Sequence, residues 1–217
     1  NSLDNYFFEN LNKLFFSEIF KLLYLKYSSI IFDKFSYFTN KNYTVKSILK
    51  KNNINYFEIH YDINKEEYLK KIKQLNIDII ISSNSLIFKK KLLSIPKICT
   101  INRHSALLPS YGGLLPVFQS FIHGEKFTGV SIHYMNNKID DGEVIVSESI
   151  KINKTDSLNS LYERCFSISS NLILNALDMI RNKEYKFSNN NKNKKSYFSF
   201  PTESDWLIFR KKGGKII

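Results

Sequence analysis

Apolar residues recur at helical spacing through the first 25 positions, where Phe7, Phe8, Leu11, Leu14, Phe15, Ile19, Leu22 and Leu23 form one stripe. That spacing predicts a helix packed on a sheet; Glu9 and Glu18 interrupt the basic character of a membrane-surface helix. The short apolar run at 29–32 predicts a strand. A helix is expected over 44–51, a strand over 54–59 and a lysine-rich helix over 65–75. Residues 78–82, Asp-Ile-Ile-Ile-Ser, are a continuous apolar run, which predicts a strand buried on both faces of a parallel sheet. A strand is expected at 98–102, and two more over 129–135 and 143–152, joined by the turn-forming stretch 136–142. From 157 to 182, Leu158, Leu161, Cys165, Ile168, Leu172 and Ala176 keep three–four spacing and predict a long core helix. Residues 188–195 are a polar, low-complexity loop. Order resumes at Tyr197–Pro201, and Thr202 with Asp205 three positions on predicts a capped helix through Trp206 and Phe209 that ends at Gly213. Alternating strands and helices of this kind argue an α/β architecture in layers.

Composition narrows this picture. The chain has 217 residues, 43% hydrophobic and 15% aromatic, enough for a proper core and too apolar for disorder. Its net charge of +12 invites a nucleic-acid partner. The cations are nearly all lysines spread along the chain, however, with arginine only at 103, 164, 181 and 210, which fits a solvated surface better. Cys99 and Cys165 sit in apolar surroundings without CxxC spacing, so they read as small hydrophobes in a reducing, cytoplasmic setting. Histidines 60, 104, 123 and 133 lack metal-ligand spacing, and no metal is expected. No apolar run approaches the roughly 20 residues of a membrane span.

Five of the seven glycines and two of the four prolines fall between Ile101 and Glu143. No glycine precedes Gly112, which excludes the glycine-rich turns that cradle dinucleotides or nucleoside triphosphates. Within this stretch, Asn102 and His104 stand two apart, so a strand carries both on one face. An amide N–H beside an imidazole is suited to an oxygen that becomes negative during acyl transfer. A nearby carboxylate, Asp140, would steady the imidazole, raise its pKa and help move a proton. Ser105 follows His104 directly and would face the other way, and no nucleophile elbow is present. Acyl transfer without a covalent enzyme intermediate is the chemistry these residues suggest.

Asn102-x-His104-x-x-Leu107-Leu108-Pro109-x-Tyr111-x-Gly113, then Gly124, then Gly129-Val130-Ser131-Ile132-His133 and Asp140-x-Gly142, together resemble the signature of the folate-dependent formyltransferases. The match covers about residues 76–180. It implies a three-layer, Rossmann-like α/β fold with a mostly parallel, seven-strand-like mixed sheet and helices on both faces. It also implies 10-formyltetrahydrofolate as donor and a catalytic trio of Asn102, His104 and Asp140. Asp140 is preferred to Asp141 because the family's aspartate precedes its glycine by two positions. Folate contacts are implied at Asn84, Ser85, Leu86 and Ile87, and at Asn136, Ile139 and Asp140. Arg103, Tyr111, Gly112 and Gly113 are expected near the acceptor. Arg103 replaces a more usual aliphatic residue, Gly112 a more usual basic one, and the first hundred residues diverge from the family.

The division expected is a formyltransferase domain over 1–182, its N-terminal part divergent or truncated, and a C-terminal extension over 183–217. With some 35 residues after the long helix, the tRNA-binding barrel of methionyl-tRNA formyltransferases is not expected. The tail over 197–214 resembles compact members associated with surface polysaccharides. The expected acceptor is therefore the amine of a nucleotide-linked amino sugar. The alternatives are methionyl-tRNA, water in a deformylase, or a catalytically inactive folate-binding module. Small-molecule partners are expected, with tRNA and a homodimer left open.

Overall fold

The computed structural model describes residues 12, 14, 16–34, 44–183 and 195–217. Two compact units divide the chain: 1–61 with 216–217, and 62–215. In the first unit, helix α1 spans Phe16–Lys34 and α2 spans Val45–Lys51. Thr44 caps α2 through a reciprocal box with Ser47, and its hydroxyl donates to Asp33 at 2.6 Å. The buried Glu18 carboxylate accepts the Ile216 N–H at 2.7 Å.

The second unit holds the sheet. Helix α3 (Glu66–Gln74) buries Tyr68, Leu69 and Ile72, residues spaced to share one face. Strand β1 (Ile79–Ser82) and the short helix α4 (Lys90–Leu93) lead into β2 (Cys99–His104). The two-residue β3 (Gly112–Gly113) and helix α5 (Pro116–Ile122) follow. Strands β4 (Phe127–Tyr134) and β5 (Val144–Lys151) precede the long helix α6 (Leu158–Asn182), and β6 (Tyr197–Phe198) and α7 (Glu203–Lys211) end the unit. The main sheet runs β1-β2-β4-β5, with one parallel pairing, β1 to β2, and two antiparallel ones. A second small sheet joins β3 to β6 in parallel.

Helix α6 packs on β4 and β5 through Leu161, Cys165, Leu172 and Ala176, all buried. The predicted stripe is therefore present, with Ser169 buried where Ile168 is only half-buried. Ser157 and Thr202 cap α6 and α7 through capping boxes, the second as predicted from Thr202 and Asp205. Helix α7 lies against α5: the Phe118 ring stands 5.0 Å from both Trp206 and Phe209. Phe118 and Phe209 are almost wholly buried, each contributing about 1.5–3 kcal/mol of apolar burial.

Several expectations change. Residues 29–32 belong to α1 rather than to a strand, because a four-residue apolar run carries no period of its own and the helical spacing continues through it. Residues 54–59 form irregular chain; a strand needs a partner that local sequence does not reveal. Strand β1 ends the row of described strands, and Ile81 is 45% exposed, so it is not buried on both faces. The sheet is mixed as expected, but among the described residues it has four strands rather than seven and more antiparallel than parallel pairing. Phe7, Phe8, Leu11 and Phe15 of the N-terminal stripe and most of the polar loop at 188–195 lie outside the described residues, while Leu14 is described and buried.

Candidate active site

Strand β2 is interior to the sheet, flanked by β1 and β4, and it extends two residues further than the expected 98–102, through His104 itself. Pairing with β4 sets Asn102 opposite His133 and His104 opposite Ser131. Strand alternation therefore gathers Asn102, His104, Ser131 and His133 on one face. All four are buried. Ser131 ties down the loop that leaves β2, donating to the Ala106 carbonyl at 2.7 Å and accepting from the Leu108 N–H at 3.0 Å.

Asp140 joins this face from the β4–β5 connection. Its Oδ2 accepts the Gly113 N–H at 2.8 Å and stands 3.6 Å from His104 Nδ1. Its Oδ1 stands 3.5 Å from His133 Nε2. The residue has φ near 48°, a left-handed conformation that aspartate tolerates better than most side chains. Gly142 makes the connection feasible: a Cβ there would lie 1.7 Å from the Tyr134 carbonyl oxygen.

His104 Nε2 lies 2.8 Å from the Tyr111 carbonyl, which fixes that nitrogen as the N–H donor. When the ring is neutral, its Nδ1 lone pair faces the Asp140 carboxylate, an arrangement that draws a proton to Nδ1. Burial pushes the His104 imidazole below the ordinary histidine value, outweighing the Asp140 charge and the Tyr111 carbonyl that pull it upward. This reverses the direction expected from an adjacent aspartate alone, because the expectation lacked the desolvation of the ring. Burial also raises the Asp140 carboxyl, but His133, His104 and the Gly113 N–H together hold it below the usual aspartate range. Both shifts favour a carboxylate beside a neutral imidazole near neutral pH.

Asn102 completes the group. Its Nδ2 lies 3.2 Å from His133 Nε2, while its Oδ1 is buried with no hydrogen-bond partner. His133 Nδ1 in turn lies 2.8 Å from the Tyr134 carbonyl, which makes Nδ1 the protonated nitrogen and Nε2 an acceptor in the neutral ring. The Nδ2 group carries a second N–H beyond the one given to His133, so the amide can still donate to a ligand oxygen. An orphaned polar atom at this position marks a place where a ligand group meets the amide.

Sequence alone gives His133 no role beyond its place in the Gly129–His133 motif; its signal is the even spacing from Ser131 on a predicted strand, whose pairing partner local sequence does not reveal. Asp141 points elsewhere, beside Lys138 and Lys195. Arg103 occupies the opposite side of β2 from Asn102 and His104. It donates to Ser83 at 2.9 Å and Ser105 at 2.8 Å, and its guanidinium lies 4.3 Å from the Phe166 ring centre. These contacts give Arg103 a structural occupation away from the trio.

Tyr111, Gly112 and Gly113 border the trio directly, through the Tyr111 carbonyl and the Gly113 N–H. Tyr111 also donates its hydroxyl to Glu125 at 2.7 Å. Asn84 accepts the Leu86 N–H at 2.7 Å, beside Ser85, and Asn64 braces the same loop by donating to the Ile87 carbonyl at 2.9 Å. Asn136 accepts the Lys138 N–H at 2.8 Å. Ile87 and Ile139 are both exposed on these two loops. Among the described residues, no cluster of histidine, cysteine and carboxylate side chains has the form of a metal site, and no helix is long and apolar enough to cross a membrane.

Comparison with known proteins places this geometry. The chain is 38% identical over 120 residues to a methionyl-tRNA formyltransferase from Prochlorococcus marinus, covering 55% of this chain and 37% of that protein. The chain thus spans well under half the length of the curated relatives it matches. In fold it resembles a sugar N-formyltransferase from a Shewanella species, with a TM-score of 0.59 at 19% identity, covering 88% of this chain and 83% of the other. It also resembles a formyltransferase from Anoxybacillus kamchatkensis solved with UDP-4,6-dideoxy-4-formamido-L-AltNAc and tetrahydrofolate, with a TM-score of 0.55 at 24% identity, covering 70% of this chain and 77% of the other. The formyl transferase family profile matches residues 37–177, well over half the chain. With Asn102 and His104 buried on β2 and Asp140 brought beside them by the β4–β5 connection, this chain belongs to the formyl transferase family.

Proposed function

We propose that this protein transfers a formyl group from 10-formyltetrahydrofolate to a primary amine. The observation that carries this reading is the convergence of Asn102, His104 and Asp140 in one buried group, where the amide has an unpaired polar atom. 10-Formyltetrahydrofolate supplies the formyl carbon and, once the group is transferred, a nitrogen that accepts a proton. The loops at 84–87 and 136–140, with exposed Ile87 and Ile139, suit the two sides of its flat ring.

The residues divide the work by their resting states. Neutral His104 takes the proton that the attacking amine sheds as the new N–C bond forms. Asp140, 3.6 Å away, stabilises the imidazolium so created, and His104 then returns the proton to the departing nitrogen. Asn102 donates its amide N–H to the formyl oxygen as charge develops there.

The acceptor we favour is the amine of a nucleotide-linked amino sugar. The tail supports it: residues 196–198 are built against the Tyr111–Gly113 loop, making the extension part of a compact site. Methionyl-tRNA is the second reading, favoured by the curated relatives, which are methionyl-tRNA formyltransferases. Tetrahydrofolate release from 10-formyltetrahydrofolate, measured with nucleotide-linked 3-amino and 4-amino sugars and with charged initiator tRNA, separates the two. Sugar-dependent release that is lost in His104→Ala is the expected result. Release only with tRNA would replace the first acceptor with the second, release without any acceptor would indicate deformylation, and no release would refute formyl transfer to these acceptors.

A further inference from the structure

We propose that the C-terminal segment Ser196–Phe198 is a positioning strap that aligns His104 and Asp140 through the loop between them. This rests on the formyl-transfer reading for its catalytic meaning and on geometry for its substance. Both partners of the trio lean on backbone atoms of one loop: His104 on the Tyr111 carbonyl at 2.8 Å, Asp140 on the Gly113 N–H at 2.8 Å. Within that loop Tyr111 has φ near 60°, a left-handed conformation that so large a side chain keeps only with outside support, whereas Gly113 adopts its φ near 95° freely.

The support comes from the tail, some 85 residues on. Ser196 Oγ accepts the Tyr111 N–H at 2.8 Å, and the Ser196 carbonyl accepts the Gly112 N–H at 3.0 Å. The Ser196 N–H donates to the Pro109 carbonyl at 3.2 Å, and the Phe198 carbonyl accepts the Leu114 N–H at 2.9 Å. Phe198 also stacks on Tyr111, with ring centres 5.6 Å apart. Contact is so close that a Cβ on Gly113 would lie 2.0 Å from the Phe198 carbonyl oxygen. Every loop residue from Tyr111 to Leu114 that touches the trio or flanks it is thus bonded to, or closely packed on, the strap. Ser196 is a positioning residue: it reaches His104 only through the peptide of Tyr111.

The test uses the full chain carrying Ser196→Ala or Ser196→Thr, with Phe198→Leu as a variant that loosens the stacking and leaves the backbone ladder. Formyl transfer is followed by tetrahydrofolate release, and the His104 ring by proton NMR titration, assigned with His104→Gln. Ser196→Ala should lower kcat about tenfold, the effect of one hydrogen bond, with both KM values nearly unchanged. It should also move the His104 titration toward that of an ordinary histidine as the loop opens the ring to water, and Ser196→Thr should restore both. Unchanged kcat and unchanged His104 titration in Ser196→Ala would overturn the strap, as would a rise in KM alone. If Ser196→Ala does not fold, the same readings on Phe198→Leu decide. If the wild-type protein releases no tetrahydrofolate, formyl transfer fails as a reading, and the NMR titration alone still supports or overturns the strap.

Discussion

Replacing Asp140 by asparagine changes the site by one charge and almost no volume. The amide oxygen of Asp140→Asn can still accept the Gly113 N–H, so the loop stays in place. What disappears is the attraction between a carboxylate and the imidazolium formed 3.6 Å away during proton transfer. At an effective dielectric of about 20 that attraction is about 4–5 kcal/mol. The cost of desolvating both ions offsets part of it, and a positioned proton carrier is worth about 10²–10⁴ in rate. The expected loss in kcat is about 10²–10³-fold. Single-turnover tetrahydrofolate release at saturating donor is the assay, since it isolates the chemical step from product departure. Asp141→Asn is the companion, because Asp141 lies outside the trio among surface lysines and should cost less than about threefold. Asp140→Asn retaining activity within tenfold of wild type, or Asp141→Asn being the more damaging, would refute the assignment of the proton relay.

Other outcomes follow from the same geometry. His104 is held below its unfolded value of 6.5, so the unfolded chain binds more protons as pH falls past that value and the folded state loses stability there. Asp140, also depressed, adds a second loss below its unfolded value of 3.8. Urea midpoints should therefore decline from pH 7 to 5, and His104→Gln should flatten that decline; equal slopes would refute it. Phe209→Ala should destabilise the second unit by about 3–5 kcal/mol in chemical unfolding, because Phe209 is wholly buried against Phe118 and Trp206. Arg103→Met should lower the melting temperature while leaving acceptor KM within about twofold, since its partners are Ser83, Ser105 and the Phe166 ring. A large KM effect would return Arg103 to the acceptor site.

What the sequence alone determined is local. Helix α6 was legible from its apolar stripe and α7 from its capping pair, because both signals lie within a few residues of each other. Asn102, His104 and Asp140 were singled out by residue type, by the two-residue spacing on a strand, and by resemblance to a family signature. Tertiary structure decided everything that depends on a distant partner. Whether 54–59 is a strand, and whether β1 is interior or an edge, depends on which neighbours supply hydrogen bonds, which a run of isoleucines does not encode. His133 acquired meaning only when β4 paired with β2 and set it opposite Asn102. The direction of the His104 pKa reversed because burial is a property of the packed ring, absent from a reading of adjacent charges. Ser196, between the polar loop at 188–195 and the ordered stretch from Tyr197, reaches the site because hydrogen bonds join residues 85 positions apart in the chain.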